Sequence, residues 1–208
     1  MNKIIKVVPI NKNKFLAGFS FAELLIVIAI ILILGTIALS AIRSSRQSSN
    51  VSAAGYIQGQ FAIAAALYAS RMGFYPPDVN RGWDPGLVRP LPWNADAEAG
   101  SPPPGTSGEN CDHCPANWQS IVQSKWDGPY IPQWPRFTPW GGKYDYNYWG
   151  SSAVRYGCNI SAGVYLGVQG DYDNNNTIPV SAEQEMMKRG FDADNCVNGE
   201  SQLALRVF

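Results

Sequence analysis

Residues Phe19 to Ile42 read FSFAELLIVIAIILILGTIALSAI, 24 positions whose only ionisable side chain is Glu23. At about 1.5 Å per residue this stretch makes a helix of roughly 36 Å, enough to cross the hydrocarbon core of a bilayer. Arg43 and Arg46 end the run, and Lys3, Lys6, Lys12 and Lys14 precede it in a leader of 18 residues that holds no acid. A secretory signal peptide would fit the basic start and the small-x-small triplet Ala38-Leu39-Ser40. The run is nevertheless longer than the usual apolar region of about 7–15 residues, and it carries a carboxylate near its start. A plain single-pass anchor fits the length but leaves Glu23 without a role. An ionised group deep in lipid costs about 2.5–3.5 kcal/mol on insertion scales.

Beyond that run, a chain of 208 residues with 46% hydrophobic content has enough apolar material for one globular domain, which excludes a disordered chain. Four of the 16 basic residues lie in the leader, so the chain from Phe19 onward keeps 12 against 16 acids, a formal side-chain charge of −4. That balance offers no broad electrostatic footprint for nucleic acid. Cys111, Cys114, Cys158 and Cys196 all fall in the C-terminal half, and export of that half makes disulfides their expected state.

A basic leader ending in Gly18, then Phe19, then Glu23 as the fifth residue of an aliphatic run, resembles the class III signal of type IV prepilins. The resemblance implies cleavage after Gly18 by prepilin peptidase, N-methylation of Phe19, and retention of the apolar helix in the mature chain. It also supplies a role for Glu23: the α-amino cation that cleavage creates at Phe19 neutralises a carboxylate in an apolar filament core, joining neighbouring subunits. Phe19 and Glu23 are four apart, so a pair within one subunit is geometrically open as well. The proline common at the twenty-second mature position of such proteins is Ser40 here, which leaves Gly35 and Thr36 as the weaker points of the helix.

After the arginines, Val51, Ala54, Ile57, Phe61, Ala64, Tyr68 and Met72 recur at steps of three and four, the stripe of an amphipathic helix. Gly73 and Pro76-Pro77 end it. Ser44 to Asn50, Gly55 and Gly59 are poor helix formers, compatible with a bend. Residues 78–115 are rich in Pro and Gly and read as a long variable loop, with a short helix near Trp118. Tyr144, Tyr146 and Tyr148 alternate with Asp145 and Asn147, a strand with one aromatic face, and Val164 to Val168 reads as the strand that follows.

Gly128-Pro-Tyr-Ile131 followed by Pro139-Trp-Gly141 and Tyr144-Asp-Tyr146 resembles the hairpin of the major pseudopilin of type II secretion systems, with Thr138 where an acid often stands. Eleven of the 25 aromatic residues lie between Trp126 and Tyr165. An aromatic row can bind sugars, stack on bases or pass electrons; the plainer reading, which we favour, is a small sheet that covers its helix with large side chains.

Oxygen side chains alternate in Gly170-Asp-Tyr-Asp-Asn-Asn-Asn-Thr177 and again in Phe191-Asp-Ala-Asp-Asn195, chemistry that suits Ca²⁺ with its six to eight oxygen ligands. The first run lacks the glycine and glutamate of an EF-hand. Leu166, Gly167, Gly170, Asp192 and Asp194 resemble the calcium loop of major pseudopilins, with Asp171 and Asp173 added from spacing alone. The segment between them, holding Glu183, Glu185 and Met186, is longer than that loop implies, and solvated Asx turns are the competing reading.

Cys111-Asp-His-Cys114 could open a zinc site completed by His113, Cys158 or Cys196. A second Cys-x-x-Cys pair is missing, and Pro115 stands where covalent haem attachment requires histidine. Disulfides are preferred; of the three connectivities, Cys111–Cys114 with Cys158–Cys196 is favoured. No enzyme is expected: His113 is the only histidine, and neither a Gly-x-Ser-x-Gly elbow nor a phosphate-binding glycine loop occurs.

The expectation is an α+β chain of pilin-like lollipop form. It comprises a leader (1–18), a transmembrane and filament-core helix (19–42), its amphipathic continuation (43–73), and a globular part (74–208). That part holds an antiparallel sheet at about 128–170 and a C-terminal loop at 170–208. The resemblance implies a homopolymer of like subunits as the main partner. It adds prepilin peptidase, an inner-membrane assembly platform and minor pilins, and places the globular part in the periplasm or on an extracellular filament. Within that class a secretion pseudopilin is preferred over a pilus pilin serving adhesion, motility or DNA uptake. A membrane-tethered sugar-binding module is the outside alternative.

Overall fold

The computed structural model describes residues 19–94, 111–171, 174–194 and 196–207. The chain is α+β, with one long apolar N-terminal helix and small antiparallel sheets. It divides into two compact units, residues 1–44 and 45–208.

Helix α1 runs Phe21–Met72. In the first unit every described residue is exposed. Thr36 Oγ1 donates to the Ile33 carbonyl and Ser40 Oγ to the Ile37 carbonyl, both at 2.8 Å. Hydroxyls bonded back to their own helix leave no polar group unsatisfied in apolar surroundings.

In the second unit α1 buries Val51, Ala54, Phe61, Ala64, Tyr68 and Met72, the expected stripe, with Ile57 packed at its margin. No break interrupts the serine-rich stretch, because its side chains dock helix α3 (Val180–Lys188). Arg189 donates to Ser52 Oγ and Ser48 Oγ, each at 2.8 Å, and pairs with Glu185; Ser181 Oγ donates to Gln47 at 2.7 Å. Gly55 gives room to the Phe191 ring, whose Cε2 lies 2.3 Å from where a Cβ would stand. Gly73 ends the helix at φ +87°, its N–H donating to the Ala69 carbonyl.

After α1 come two short paired strands, β1 (Trp83–Asp84) and β2 (Trp93–Asn94), and then helix α2 (Trp118–Lys125). The main sheet has strand order β3-β6-β7, all antiparallel, with β3 at Gly141–Trp149, β6 at Gly163–Gly170 and β7 at Glu200–Val207. Tyr146 faces Leu166 across β3 and β6, and Leu166 faces Leu203 across β6 and β7. Phe61 packs on Trp134 at 4.7 Å between centroids and on Tyr144 at 6.0 Å, while Tyr68 meets Tyr130 edge to face at 6.0 Å. Each such buried side chain contributes about 1.5–3 kcal/mol.

The segment read as a C-terminal loop therefore carries both α3 and β7. Every position of β6 is buried, so this strand needs a neighbour on each edge, and β7 supplies the second. A separate hairpin pairs β4 (Ala153–Arg155) with β5 (Cys158–Ile160). Its two turn residues, Tyr156 and Gly157, both take positive φ (52° and 82°), as a two-residue hairpin connection requires.

Candidate functional site

Three places collect the residues singled out by sequence. The first is the start of α1. The Ser20 N–H donates to Glu23 Oε2 at 2.7 Å, and the Glu23 N–H donates to Ser20 Oγ at 3.2 Å. This is a capping box, each side chain satisfying an amide the helix cannot. Its Ser-x-x-Glu spacing was readable in the sequence. Phe19 is exposed, as are the aliphatic side chains through Ile42. The helix is long and apolar enough to cross a membrane. Gly18 lies outside the described residues.

The second place is the C-terminal loop. Asp192 and Asp194 are brought together: the Asp194 N–H donates to Asp192 Oδ1 at 3.4 Å, and the Cys196 N–H donates to Asp194 Oδ1 at 2.8 Å. These are consecutive Asx turns. Burial pushes the Asp194 carboxyl above the ordinary range. Asp171 is placed at the end of β6, its Oδ2 accepting Asn174 Nδ2 at 2.6 Å and its carbonyl accepting the Asn176 N–H at 2.8 Å. Leu166 lies in the core, where its carbonyl accepts Gln58 Nε2 at 3.3 Å. Asp173 falls outside the described residues. Gly170 serves close backbone packing, since a Cβ there would stand 2.4 Å from the Asn176 carbonyl oxygen.

Glu183, in α3, was not singled out as a functional residue. It is buried, with Oε1 accepting the Asn198 N–H at 2.8 Å and both oxygens accepting the Gly199 N–H at 3.2 and 3.1 Å. Its carboxylate thus clamps the chain between the Asx turns and β7. Burial raises its pKa against those amide donations.

The third place is the cysteine pairs. Cys111–Cys114 and Cys158–Cys196 are disulfides, with Cα separations of 5.1 and 6.1 Å. Cys158 is buried with Trp149, Ile160 and Tyr165, and the bridge ties β5 to the C-terminal turns. Among the described residues, the one group of three thiol, imidazole or carboxylate ligands within 4.8 Å of one another is Cys111, His113 and Cys114.

Part of the aromatic row is core, while Phe137 and Tyr156 are exposed and Trp126, Tyr130, Trp140 and Tyr148 are half-buried. Trp134, Tyr144, Tyr146, Trp149 and Tyr165 are all buried. The polar alternates of β3 are buried too, contrary to the single aromatic face that the pattern suggests. Asp145 Oδ2 accepts Gln169 Nε2 at 3.1 Å, and burial pushes its carboxyl up to about 7, with Asp78 and Glu200 adding and Arg81 opposing. Asp84, in β1, organises part of the loop read as irregular: its carboxylate accepts the N–H groups of Gly86, Leu87, Val88 and Arg89 at 2.7–3.2 Å. The signal for it was the turn sequence Asp84-Pro85-Gly86.

No protein family, curated protein or solved structure matches the chain significantly.

Proposed function

We propose that the chain is a structural subunit of a type IV pilin-like filament, of the kind that drives protein export as the major pseudopilin of a type II secretion fibre. One observation carries this reading: a single carboxylate, Glu23, five residues into a 24-residue apolar run that directly follows a basic leader ending in Gly18. A solitary acid in such a run costs about 2.5–3.5 kcal/mol, of which the cap with Ser20 returns only about 1 kcal/mol. A partner amine recovers it, and cleavage after Gly18 creates one on Phe19 of every subunit. Apolar helices then bundle in the fibre core, while the demand of each Glu23 for an amine sets the stagger.

The motif from Pro139 to Tyr148 favours the secretion fibre over a pilus. The prepilin peptidase, an assembly platform in the inner membrane and minor subunits are the implied partners. The same reading gives calcium a structural role at Asp192 and Asp194. Chelation would then lower the thermal midpoint, and an unchanged midpoint removes calcium from the reading.

Substitution tests assembly directly. Glu23→Ala is expected to abolish filaments while leaving the chain in the membrane and residues 45–208 folded. Filaments of normal abundance from that variant would exclude the reading.

A further inference from the structure

The two bridges differ in how they meet solvent. Cys111 and Cys114 are both half-buried, and an open cavity of about 440 Å³ is lined by them, by Pro115 and by the first turn of α2. Cys158 is buried with Trp149, Ile160 and Tyr165. An attacking thiolate therefore has a path to the first bridge and is shielded from Cys158.

His113 lies against one sulfur of the open bridge: Cys111 Sγ is 3.5 Å from Nδ1 and 3.4 Å from Nε2. Midway between the nitrogens, the sulfur faces the positive charge that a protonated imidazole spreads over both, with no directed hydrogen bond to either. Nε2 is 3.0 Å from the Tyr75 carbonyl, which only accepts, so Nε2 holds a proton and Nδ1 is the nitrogen that can gain one. The ring also stacks on Tyr148 with centroids 3.3 Å apart and planes at 7°, and it shares a cavity with Asp78 and Asp112. With the bridge closed, burial holds the imidazole pKa below its usual value, against the Tyr75 and Pro76 carbonyls and Asp112. A thiolate on Cys111 would add an opposite charge in contact with the ring and favour the imidazolium.

We infer that Cys111–Cys114 is a redox-active bridge that exchanges with dithiols, Cys111 being the leaving thiolate and His113 the positioning residue that stabilises it. One thiolate of the dithiol attacks Cys114 Sγ from the cavity beside α2. A new S–S bond forms, the Cys111–Cys114 bond breaks, and its electron pair leaves on Cys111. The second thiol of the dithiol then attacks its partner sulfur in the mixed disulfide and releases Cys114. The dithiol departs as a cyclic disulfide, and the two cysteines keep the two electrons and two protons it gave up. A sulfur that leaves as a stabilised thiolate leaves faster, and a neighbouring imidazolium within a Cys-x-x-Cys loop provides that stabilisation. None of this rests on the filament reading.

The test uses the full chain in detergent, without denaturant, titrated with dithiothreitol and then alkylated for peptide mass spectrometry. Cys111 and Cys114 are expected to take label at dithiol concentrations at least about tenfold below those that label Cys158 and Cys196. Glutathione, a monothiol that cannot cyclise, is expected to be trapped on Cys114, with Cys111 alkylated in the same peptide. In the reduced chain the alkylation rate of Cys111 against pH is expected to give a thiol pKa below the ordinary value of about 8.5. His113→Gln is expected to return that pKa to about 8.5 and to slow reduction of the bridge. The titration and the trapping use the wild type alone, so they decide the matter even if that variant does not fold. Reduction of Cys158–Cys196 first, glutathione trapped on Cys111, or a Cys111 pKa that is unchanged in a folded His113→Gln chain would each overturn the inference.

Discussion

Ser20 and Glu23 cap one another across the first turn of α1: each backbone N–H is held by the other residue's side chain, at 2.7 and 3.2 Å. The Ser20 amide belongs to the peptide bond with Phe19, so the pair survives a cut after Gly18. The cap engages Oε2, and a carboxylate carries about four lone-pair sites on its two oxygens. Glu23 can thus close its own helix and still accept a neighbour's amine. The cap also aims the carboxylate back toward Phe19, where the proposed cut would form that amine.

The cap and the charge separate under substitution. Ser20→Ala removes one donor–acceptor pair and is expected to destabilise the first turn by about 1 kcal/mol, seen as faster amide exchange at Phe21 to Glu23 in micelles. Glu23→Gln keeps a capping acceptor but loses the charge. It is expected to retain slow exchange and still fail to assemble; assembly at the wild-type level would assign Glu23 to capping alone.

Gly55 and Gly59 are one turn apart on α1 but not equivalent. A Cβ at Gly55 would collide with the Phe191 ring, whereas at Gly59 nothing lies within 4 Å. Gly55→Ala is expected to destabilise residues 45–208 by about 1–3 kcal/mol. Gly59→Ala is expected to stabilise them by up to about 1 kcal/mol through helix propensity. Urea melts of the two variants decide this, and equal shifts would contradict the packing described.

Asp145 gives the fold a pH dependence of definite sign. Its folded pKa, about 7, stands above the ordinary 3.8, so the folded state binds the proton more tightly than the unfolded chain. The stability this contributes is complete below about pH 4 and is lost as pH rises through 7, a loss of up to about 4 kcal/mol. Asp145→Asn mimics the protonated form and is expected to flatten the slope, gaining stability at pH 8 relative to wild type and little at pH 4. A variant whose melts keep the wild-type slope would show that another group carries it.

The two bridges differ in the loop each closes. Cys158–Cys196 spans 38 positions and Cys111–Cys114 only 3. By loop-closure entropy the first stabilises by about 4 kcal/mol and the second by about 2. Paired serine substitutions at 158 and 196 are therefore expected to lower stability about twice as much as those at 111 and 114. The reverse order in chemical denaturation would contradict this.

Much of the fold was legible where a period matched an element. The stripe from Val51 to Met72 and the Tyr144–Tyr148 alternation each gave the right element, because apolar spacing records which face is covered. The strand β7 was overlooked although Leu203, Leu205 and Val207 alternate with Gln202, Ala204 and Arg206, a period-two signal that the acidic loop before it outweighed. What covers Asp145 was not legible, since it comes from residues far off in the chain: the Gly82 N–H donates to the Tyr144 carbonyl at 2.8 Å, and Asp78 and Arg81 act on the carboxyl. The burial of Gln58 against the Leu166 carbonyl is hidden in the same way, because a polar residue in a helical stripe gives no sign of a distant acceptor.

Intact mass of the mature protein, with fragmentation of its N-terminal peptide, tests the filament account most directly. The account predicts a chain that begins at Phe19, carries one added methyl group on its α-amine and retains the whole apolar helix. An unmodified chain that begins at Ala41, or one that still carries Met1 to Gly18 in assembled material, would contradict it.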